Sequence, residues 1–417
     1  MENRTPRLFW ACPYCLLDTS SGASIAVREL LSYLAQLGWS ISILSASIFD
    51  VEAGIFRLRD HWDHFKENRG KIINVNDGSL KHAILSVEST NRFNMTTIEE
   101  DKFLALYTNF LDNFKPDLVF NYGGQVLDLL ITNEASDRKI PVVSILANAS
   151  YQATRWCRDV DLIVTDSKAT AAMYAEKQGF HPTPIGTPIN PSLVVANEHT
   201  RKNVLFVNPS WQKGVSVVAT LAMILEEKRP DITFEIVESR GKWEEVLRVV
   251  TKAFGNERSS LSNVLVTPHT DDMKPIYGRA RIVLAPSLCW ESYGRVVAEA
   301  MMNGIPAIVS SRGGLPESMG KGGITVTFPQ ECCEIPYNQF LRPEILTPIA
   351  NIIERFYDDK NFYQEYCQKA LLEGQKSTTQ AVANRFIEAV KPLLLKRAGD
   401  RNSNDQRLYK HKQYETA

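Results

Sequence analysis

Short apolar runs typical of strands alternate with longer runs of helical periodicity, and this alternation constrains the fold more than any other feature of the chain. In the first half, apolar residues at helical spacing cover residues 23–36, and Gly38 ends this run. The strand-like runs of this half cover residues 8–12, 41–44, 117–120, 142–146 and 162–165. Because parallel strands need long crossover connections, usually helices, this order predicts a parallel sheet covered by helices.

A second half repeats the alternation after a stretch rich in proline. Four prolines fall within residues 182–191. Since proline fixes φ and removes a backbone donor, this stretch predicts an interdomain linker. Beyond it, strand-like runs at residues 204–207 and 232–237 flank a helical run at 215–227. We therefore predict an α/β fold made of two Rossmann-like βαβ domains facing across a cleft.

The predicted domain limits follow from these patterns. The segments are an N-terminal Rossmann-like domain at residues 1–186, a linker at 187–201, a C-terminal Rossmann-like domain at 202–375, a C-terminal helix at 376–396 and a tail at 397–417. Ser377 is suited to cap the last helix, which Pro392 is expected to kink or shorten. The tail lacks aliphatic periodicity, so we predict that it is disordered.

Two glutamates stand eight positions apart in the second half, between strand-like runs at residues 281–286 and 305–309. Glu291 falls in the loop after the first of these runs, where ligands of α/β proteins bind. The helix behind this loop offers free N–H groups to an anion. Glu299 falls further along the same helix, so the two carboxylates can contact different parts of one elongated ligand.

The glutamates belong to five motif elements in a fixed order. The elements are Pro286-Ser287, the pair Glu291 and Glu299, Ala300-Met301, Gly304-Ile305-Pro306, and Gly313-Gly314-Leu315-Pro316-Glu317. A Glu pair at this spacing alone is common on solvated helices. The five elements together resemble the signature of the retaining glycosyltransferases of family 4, the group 1 glycosyl transferases. This resemblance implies a GT-B fold and a hexosyltransferase-type enzyme that moves a sugar from a nucleoside diphosphate with retention of anomeric configuration.

The resemblance also implies roles for individual residues. Negative charge builds on the departing diphosphate during sugar transfer, so nearby cations and free amides give the most useful stabilisation. Lys213 corresponds to the family's lysine at the diphosphate, and Glu291 would hold hydroxyls of the transferred sugar; these are the predicted catalytic residues. Glu299 would accept hydrogen bonds from both ribose hydroxyls, and Gly22 would let the backbone approach the donor phosphate. The amides that would face the phosphate belong to Ser292, Tyr293, Gly294, Arg295 and Val296.

In this family's mechanism the departing phosphate accepts the acceptor's proton on the same face of the sugar, and no protein nucleophile is required. We therefore expect no cofactor and no metal, and the nucleotide sugar is a substrate. The N-terminal domain would form the acceptor side, and the last helix would cross back to it. The acceptor is unidentified and could be a glycan, a lipid, a peptide or a small molecule.

The chain departs from the family pattern at two places. Where the family has Gly-Arg shortly before the lysine, this sequence has Asn208-Pro209. Asn208 can donate a hydrogen bond to the donor but carries no charge, so Lys213, the helix N-termini and Arg295 would have to meet the charge of the diphosphate. The family's histidine at the donor sugar is also missing, and Asn148 is its nearest polar substitute.

Composition and charge agree with an enzyme of this kind. A chain of 417 residues, 44% of them hydrophobic, suffices for two or three domains, and a formal net charge of -1 argues against nucleic acid as the main partner. No apolar run approaches the roughly 18 residues of a transmembrane segment, and the run at residues 8–12 is too short for a signal peptide. Seven scattered cysteines fit reduced thiols. We expect a cytoplasmic protein, with a peripheral position at the membrane left open.

Other patterns allow different interpretations. Cys12 and Cys15 have the spacing of a redox pair, but the loop continues to Gly22 before a helix begins, which disfavours that role. Two further pairs hint at metal but lack the second pair of a zinc site: His61 with His64, and Cys332 with Cys333. Residues 49–71 mix aromatic and basic side chains, which suits a part of the acceptor side and a solvated connection equally.

Two other functions stay open. A GT-B phosphorylase or nucleotide-sugar epimerase would share the fold, although nothing in the second half indicates the pyridoxal-phosphate lysine of a phosphorylase. A non-catalytic nucleotide-sugar-binding scaffold would account for the missing arginine and histidine.

Overall fold

The computed structural model describes residues 5–152 and 154–414, with the backbone alone for residues 398–414. These residues form two α/β units. The first unit contains the chain up to residue 165, residues 171–185 and the chain from residue 382, and the second contains residues 166–170 and 186–381. The segment expected to be a linker, residues 187–201, therefore lies within the second unit.

The first unit is built on an eight-stranded sheet. Its strands are β1 (Arg7–Ala11), β2 (Ser40–Ala46), β3 (Ile72–Asp77), β4 (Leu80–Leu85), β5 (Leu118–Asn121), β6 (Val142–Leu146), β7 (Leu162–Thr165) and β8 (Thr183–Pro184). In spatial order they run β3-β4-β2-β1-β5-β6-β7-β8. All neighbours are parallel except β3 and β4, which are antiparallel. Strands β5 and β6 are buried throughout, as expected of a parallel sheet covered on both faces.

Five helices alternate with these strands. They are α1 (Gly22–Gln36), α2 (Trp62–Glu67), α3 (Thr97–Phe114), α4 (Val126–Asp137) and α5 (Lys168–Gln178). Helix α1 forms where helical spacing predicts it, because Ser21 caps its first turn and Val27, Leu31 and Leu34 bury one face against the sheet.

The second unit contains a six-stranded, wholly parallel sheet. Its strands are β9 (Asn203–Val207), β10 (Phe234–Val237), β11 (Val264–Thr267), β12 (Ala280–Ala285), β13 (Ala307–Ser310) and β14 (Gly323–Val326). Its helices are α6 (Pro191–Val194), α7 (Val215–Lys228), α8 (Trp243–Ala253), α9 (Lys274–Arg279), α10 (Arg295–Met302), α11 (Leu315–Met319), α12 (Pro343–Asp358) and α13 (Lys360–Gly374). The spatial order is β11-β10-β9-β12-β13-β14. Counted from β9, this is the 3-2-1-4-5-6 order of a dinucleotide-binding sheet.

The last helix, α14 (Thr379–Tyr414), is longer than the sequence indicates. Val382, Phe386 and Val390 lie fully buried in the core of the first unit. The helix continues through Pro392 and past the expected end at residue 396, because a single proline removes one hydrogen bond and the following residues include many good helix formers. Of the predicted tail, residues 415–417 lie outside the described part of the chain.

Within residues 5–152 and 154–414, no helix combines the length and the apolar character needed to cross a membrane.

Candidate functional site

The strand order of the second unit reverses between β9 and β12. From β9 the chain proceeds to β10 on one side, and after β11 it returns to place β12 on the other side. In open α/β sheets, ligands bind outside the carboxyl ends of the strands at such a point. The loops that meet there are residues 208–214 after β9 and residues 286–294 after β12. They carry most of the residues that the sequence motifs single out.

An ion pair joins these two loops. The ammonium Nζ of Lys213 contacts Oε1 of Glu291, and the hydroxyl of Ser287 donates to the same oxygen at 2.7 Å. The backbones are also joined, because the amides of Leu288 and Cys289 donate to the carbonyl of residue 212 at 2.9 and 3.1 Å. The two predicted catalytic residues therefore lie together in one hydrogen-bonded structure.

The pair is partly accessible, since the Lys213 side chain is 29% exposed and that of Glu291 is 15% exposed. Burial lowers the pKa of the Lys213 ammonium, but the charge of Glu291 outweighs it, and the net pKa lies above the ordinary value of 10.5. Lys213 is therefore a cation at neutral pH.

The loop after β13 fixes the position of Glu291. The amide of Gly314 donates to the Glu291 carbonyl at 2.8 Å. A Cβ at Gly313 would lie 2.0 Å from the same oxygen, and this residue has a φ of +61°, so no other residue fits. The Gly-Gly pair of the fifth motif element thus permits close contact between two backbones at the site.

Glu299 lies one turn inside α10 and is buried, with 5% exposure. Its Oε2 accepts a hydrogen bond from the hydroxyl of Tyr277 at 2.6 Å, and Nε of Arg295 contacts its Oε1 at 2.7 Å. Burial, followed by the charge of Glu299, raises the pKa of Tyr277 well above its ordinary value, so this hydroxyl stays a donor. A carboxylate has about four acceptor positions, which suits Glu299 to accept several hydrogen bonds at once.

The loop residues between the glutamates are held by their side chains. The hydroxyl of Ser292 donates to Asp166 at 2.9 Å, and Tyr293 hydrogen-bonds Ser377 at 2.7 Å. Burial raises the pKa of Asp166 to about 6, although the hydroxyls of Ser292 and Thr187 oppose this effect. Helix α10 then begins after Gly294, and the amide of Val297 in its first turn donates to the Gly294 carbonyl at 3.0 Å. Its Val296 packs partly against the apolar core.

Arg295 is already engaged by protein groups, because besides Glu299 its Nη1 donates to the carbonyl of Pro188 at 3.1 Å. Asn208 has a φ of +66°, a backbone conformation that asparagine tolerates better than most residues. Its side-chain oxygen accepts a hydrogen bond from the amide of Arg240 at 3.2 Å.

Two predicted donor contacts belong to the first unit. Gly22 is exposed and begins α1. Asn148 is also exposed, and its side chain accepts hydrogen bonds from the amide and hydroxyl of Ser150 at 3.0 and 2.6 Å. Its carbonyl accepts one from Tyr174 at 2.8 Å.

The structure argues against the redox interpretation of the cysteine pair. Cys12 and Cys15 are fully buried, and burial raises the pKa of Cys12 well above its ordinary value and that of Cys15 to about 12. Both thiols therefore stay protonated and unreactive. Across the described residues, no group of three or more His, Cys, Asp or Glu side chains is arranged to hold a metal ion. In the segment at residues 49–71, Phe49, Leu58 and Phe65 are buried in one apolar cluster.

Three residues that hydrogen-bond the predicted site residues were not predicted from the sequence: Asp166, Ser287 and Tyr277. Asp166 directly follows a predicted strand, and Ser287 is part of a quoted motif, so both carried a positional signal. Tyr277 carried none, because its contact with Glu299 depends on the packing of α9 beside α10.

A comparison of sequences found one family model that matches part of the chain. Residues 201–334 match the model of a family described as "Glycosyl transferases group 1". This range contains Lys213, Glu291 and Glu299. A comparison with curated proteins found no match to the chain.

Solved structures of glycosyltransferases resemble nearly the whole chain. Sucrose-phosphate synthase from Thermosynechococcus elongatus gives a TM-score of 0.66 at 16% identity, covering 94% of this chain and 100% of that chain. Anabaena Alr3699/HepE, solved in complex with UDP and glucose, gives 0.62 at 15% identity, covering 93% and 100%. The pneumococcal O-GlcNAc transferase GtfA, solved in complex with UDP and GlcNAc, gives 0.64 at 11% identity, covering 94% and 100%. The predicted fold class is therefore confirmed: the chain has a GT-B fold of two Rossmann-like α/β domains, and its second domain contains a region that matches the group 1 glycosyl transferases.

Proposed function

We propose that this protein is a glycosyltransferase of family 4 that moves a hexosyl-type sugar from a nucleoside diphosphate to an acceptor, with retention. The observation that carries the proposal is the Lys213–Glu291 pair at the point between β9 and β12 where the strand order reverses. A cation for the diphosphate and a carboxylate for sugar hydroxyls lie side by side there, within the region that matches the family.

Donor binding would exchange the partners of this pair. Lys213 would turn from Glu291 to the diphosphate, and Glu291 would accept hydrogen bonds from sugar hydroxyls in place of the ammonium. The first-turn amides of α10 would complete the anion site, since helix N-termini favour negative charge. As the bond to the sugar breaks, charge grows on the phosphate beside Lys213, and this placement of a cation lowers the barrier.

Glu299 would accept hydrogen bonds from both ribose hydroxyls. Tyr277 and Arg295 fix the carboxylate in place, so little conformational entropy is lost when the ribose binds. Gly22 and Asn148 of the first unit would contact the donor phosphate and the donor sugar, and Asn208 would add a hydrogen bond.

Retention follows if the departing phosphate accepts the acceptor's proton on the face where the new bond forms. This reaction needs no metal and no cofactor. The free state of all seven cysteines supports a cytoplasmic location, where thiols stay reduced.

A panel of nucleotide sugars tests the proposal. UDP-glucose and UDP-GlcNAc come first, because related structures were solved with UDP and these sugars. We expect one donor to raise the melting temperature and to be hydrolysed slowly without acceptor. If no nucleotide sugar binds, the proposal is wrong. Tight binding without hydrolysis or transfer would instead favour the non-catalytic scaffold, which the uncharged Asn208-Pro209 pair makes a second candidate.

A further inference from the structure

The loop after β10 lies directly against the loop that carries Lys213. A Cβ at Gly241 would be 2.2 Å from the carbonyl oxygen of Pro209, so only glycine allows this backbone contact. The side chain of Asn208 accepts a hydrogen bond from the amide of Arg240 at 3.2 Å. The two loops are therefore in contact at residues 208 and 209.

Arg240 is exposed at the tip of this second loop. The positive charge of Arg240 lowers the pKa of the Lys213 ammonium, whereas the negative charge of Glu291 raises it. Because β9 lies between β10 and β12 in the sheet, the loop of Lys213 lies between the loop of Arg240 and the loop of Glu291. Arg240 and Lys213 are therefore carried by neighbouring loops at the edge of the sheet where the candidate donor site lies.

We propose that Arg240 is the second cation for the donor diphosphate, supplied by the β10 loop in place of an arginine at position 209. This inference rests on the proposed function. Pro209 is buried and uncharged, so position 209 provides no cation. Asn208 serves two purposes here: it adopts the left-handed backbone conformation and its side chain fixes the backbone of Arg240. A guanidinium can form paired hydrogen bonds with phosphate oxygens, which suits it to this role.

Calorimetry tests the assignment by measuring the affinity for UDP, GDP and ADP and, for each, the affinity for the corresponding nucleoside monophosphate. With the diphosphate that binds wild type, we expect Arg240→Gln to weaken affinity about ten-fold, the usual scale for losing a charged hydrogen bond. We expect a smaller loss with the monophosphate, which has one phosphate fewer. Arg240→Lys keeps the charge and should retain most of the affinity. The matched control is Lys242→Gln, which removes the same charge from the same loop, where Lys242 is 63% exposed and pairs with Glu238.

The outcomes separate this inference from the function on which it rests. If wild type binds a diphosphate and Arg240→Gln behaves like Lys242→Gln, the Arg240 assignment is overturned and the proposed function stands. Equal losses with mono- and diphosphate would also overturn it, because they would indicate a general structural effect. If wild type binds none of the three diphosphates and no nucleotide sugar of the panel, both proposals fall.

Discussion

Lys213 and Glu291 form an ion pair between the loops that follow neighbouring strands β9 and β12, and the pair is only partly exposed. In the proposed function, each neutralises the other until the donor supplies a phosphate for the cation and hydroxyls for the carboxylate. The first prediction tests Lys213, and the second tests Glu299, the other glutamate of the motif.

Replacing Lys213 by alanine should lower turnover about 100-fold or more, the scale for losing a group that stabilises charge in the transition state. Steady-state kinetics with the donor that binds wild type would measure this. Lys228→Ala is the matched control, because it removes a lysine from an exposed ion pair with Glu354 at the far end of α7. An effect of similar, small size in both variants would mean that backbone amides hold the phosphate.

Replacing Glu299 by glutamine should weaken nucleotide-sugar binding by roughly 1–3 kcal/mol. The glutamine amide has one acceptor oxygen, whereas the ribose hydroxyls and Arg295 together require both oxygens of the carboxylate. Calorimetry would measure this loss. Glu299→Ala should lose affinity as well, and also thermal stability, since it leaves Tyr277 and Arg295 without their carboxylate. The control is Tyr277→Phe, which removes one support of the carboxylate but no ligand contact. Unchanged donor affinity in Glu299→Gln would contradict the ribose assignment.

Asp166 gives a prediction for pH. Its pKa is about 6 in the folded protein against an ordinary 3.8. The folded protein therefore binds this proton more tightly than the unfolded chain. The resulting stabilisation is complete below pH 3.8 and is lost as pH rises through about 6, with a size of about 3 kcal/mol.

Asp166→Asn cannot ionise as pH rises, and its amide oxygen can still accept the hydrogen bond from Ser292. Its melting temperature relative to wild type should therefore be higher at pH 7.5 than at pH 4.5. Thermal unfolding at the two pH values measures this difference. If the melting temperatures of Asp166→Asn and wild type differ by the same amount at pH 7.5 and pH 4.5, Asp166 does not titrate in this range.

The parts of the fold that the sequence predicted are those with a local signal. The apolar run at residues 142–146 predicted a strand, and the motif around Glu291 predicted the loop after a strand. Both predictions were possible because apolar spacing and turn residues act over a few positions. The proline-rich stretch predicted a linker at 187–201, and these residues fall within the second unit. Proline also suits the first turn of a helix, and Pro191 begins the short helix α6.

The partners of the site residues could not be predicted in the same way. Tyr277 lies 22 positions before Glu299, and Arg240 hydrogen-bonds a residue 32 positions earlier. Such contacts depend on the order of strands in the sheet, which brings the loops after β9, β10 and β12 to one edge. Residues 166–170 likewise belong to the second unit although a strand of the first unit ends at Thr165.

The central claim is sugar transfer with retention at the Lys213–Glu291 pair, and proton NMR of the first-formed glycoside tests it most directly. With an α-linked gluco-type donor, we predict that the product of wild type shows an α anomeric coupling. With Lys213→Ala, the product signal should appear at least about 100-fold more slowly. A β anomeric coupling would contradict retention. Tight donor binding with no glycoside from any acceptor would contradict the claim that the protein is a transferase.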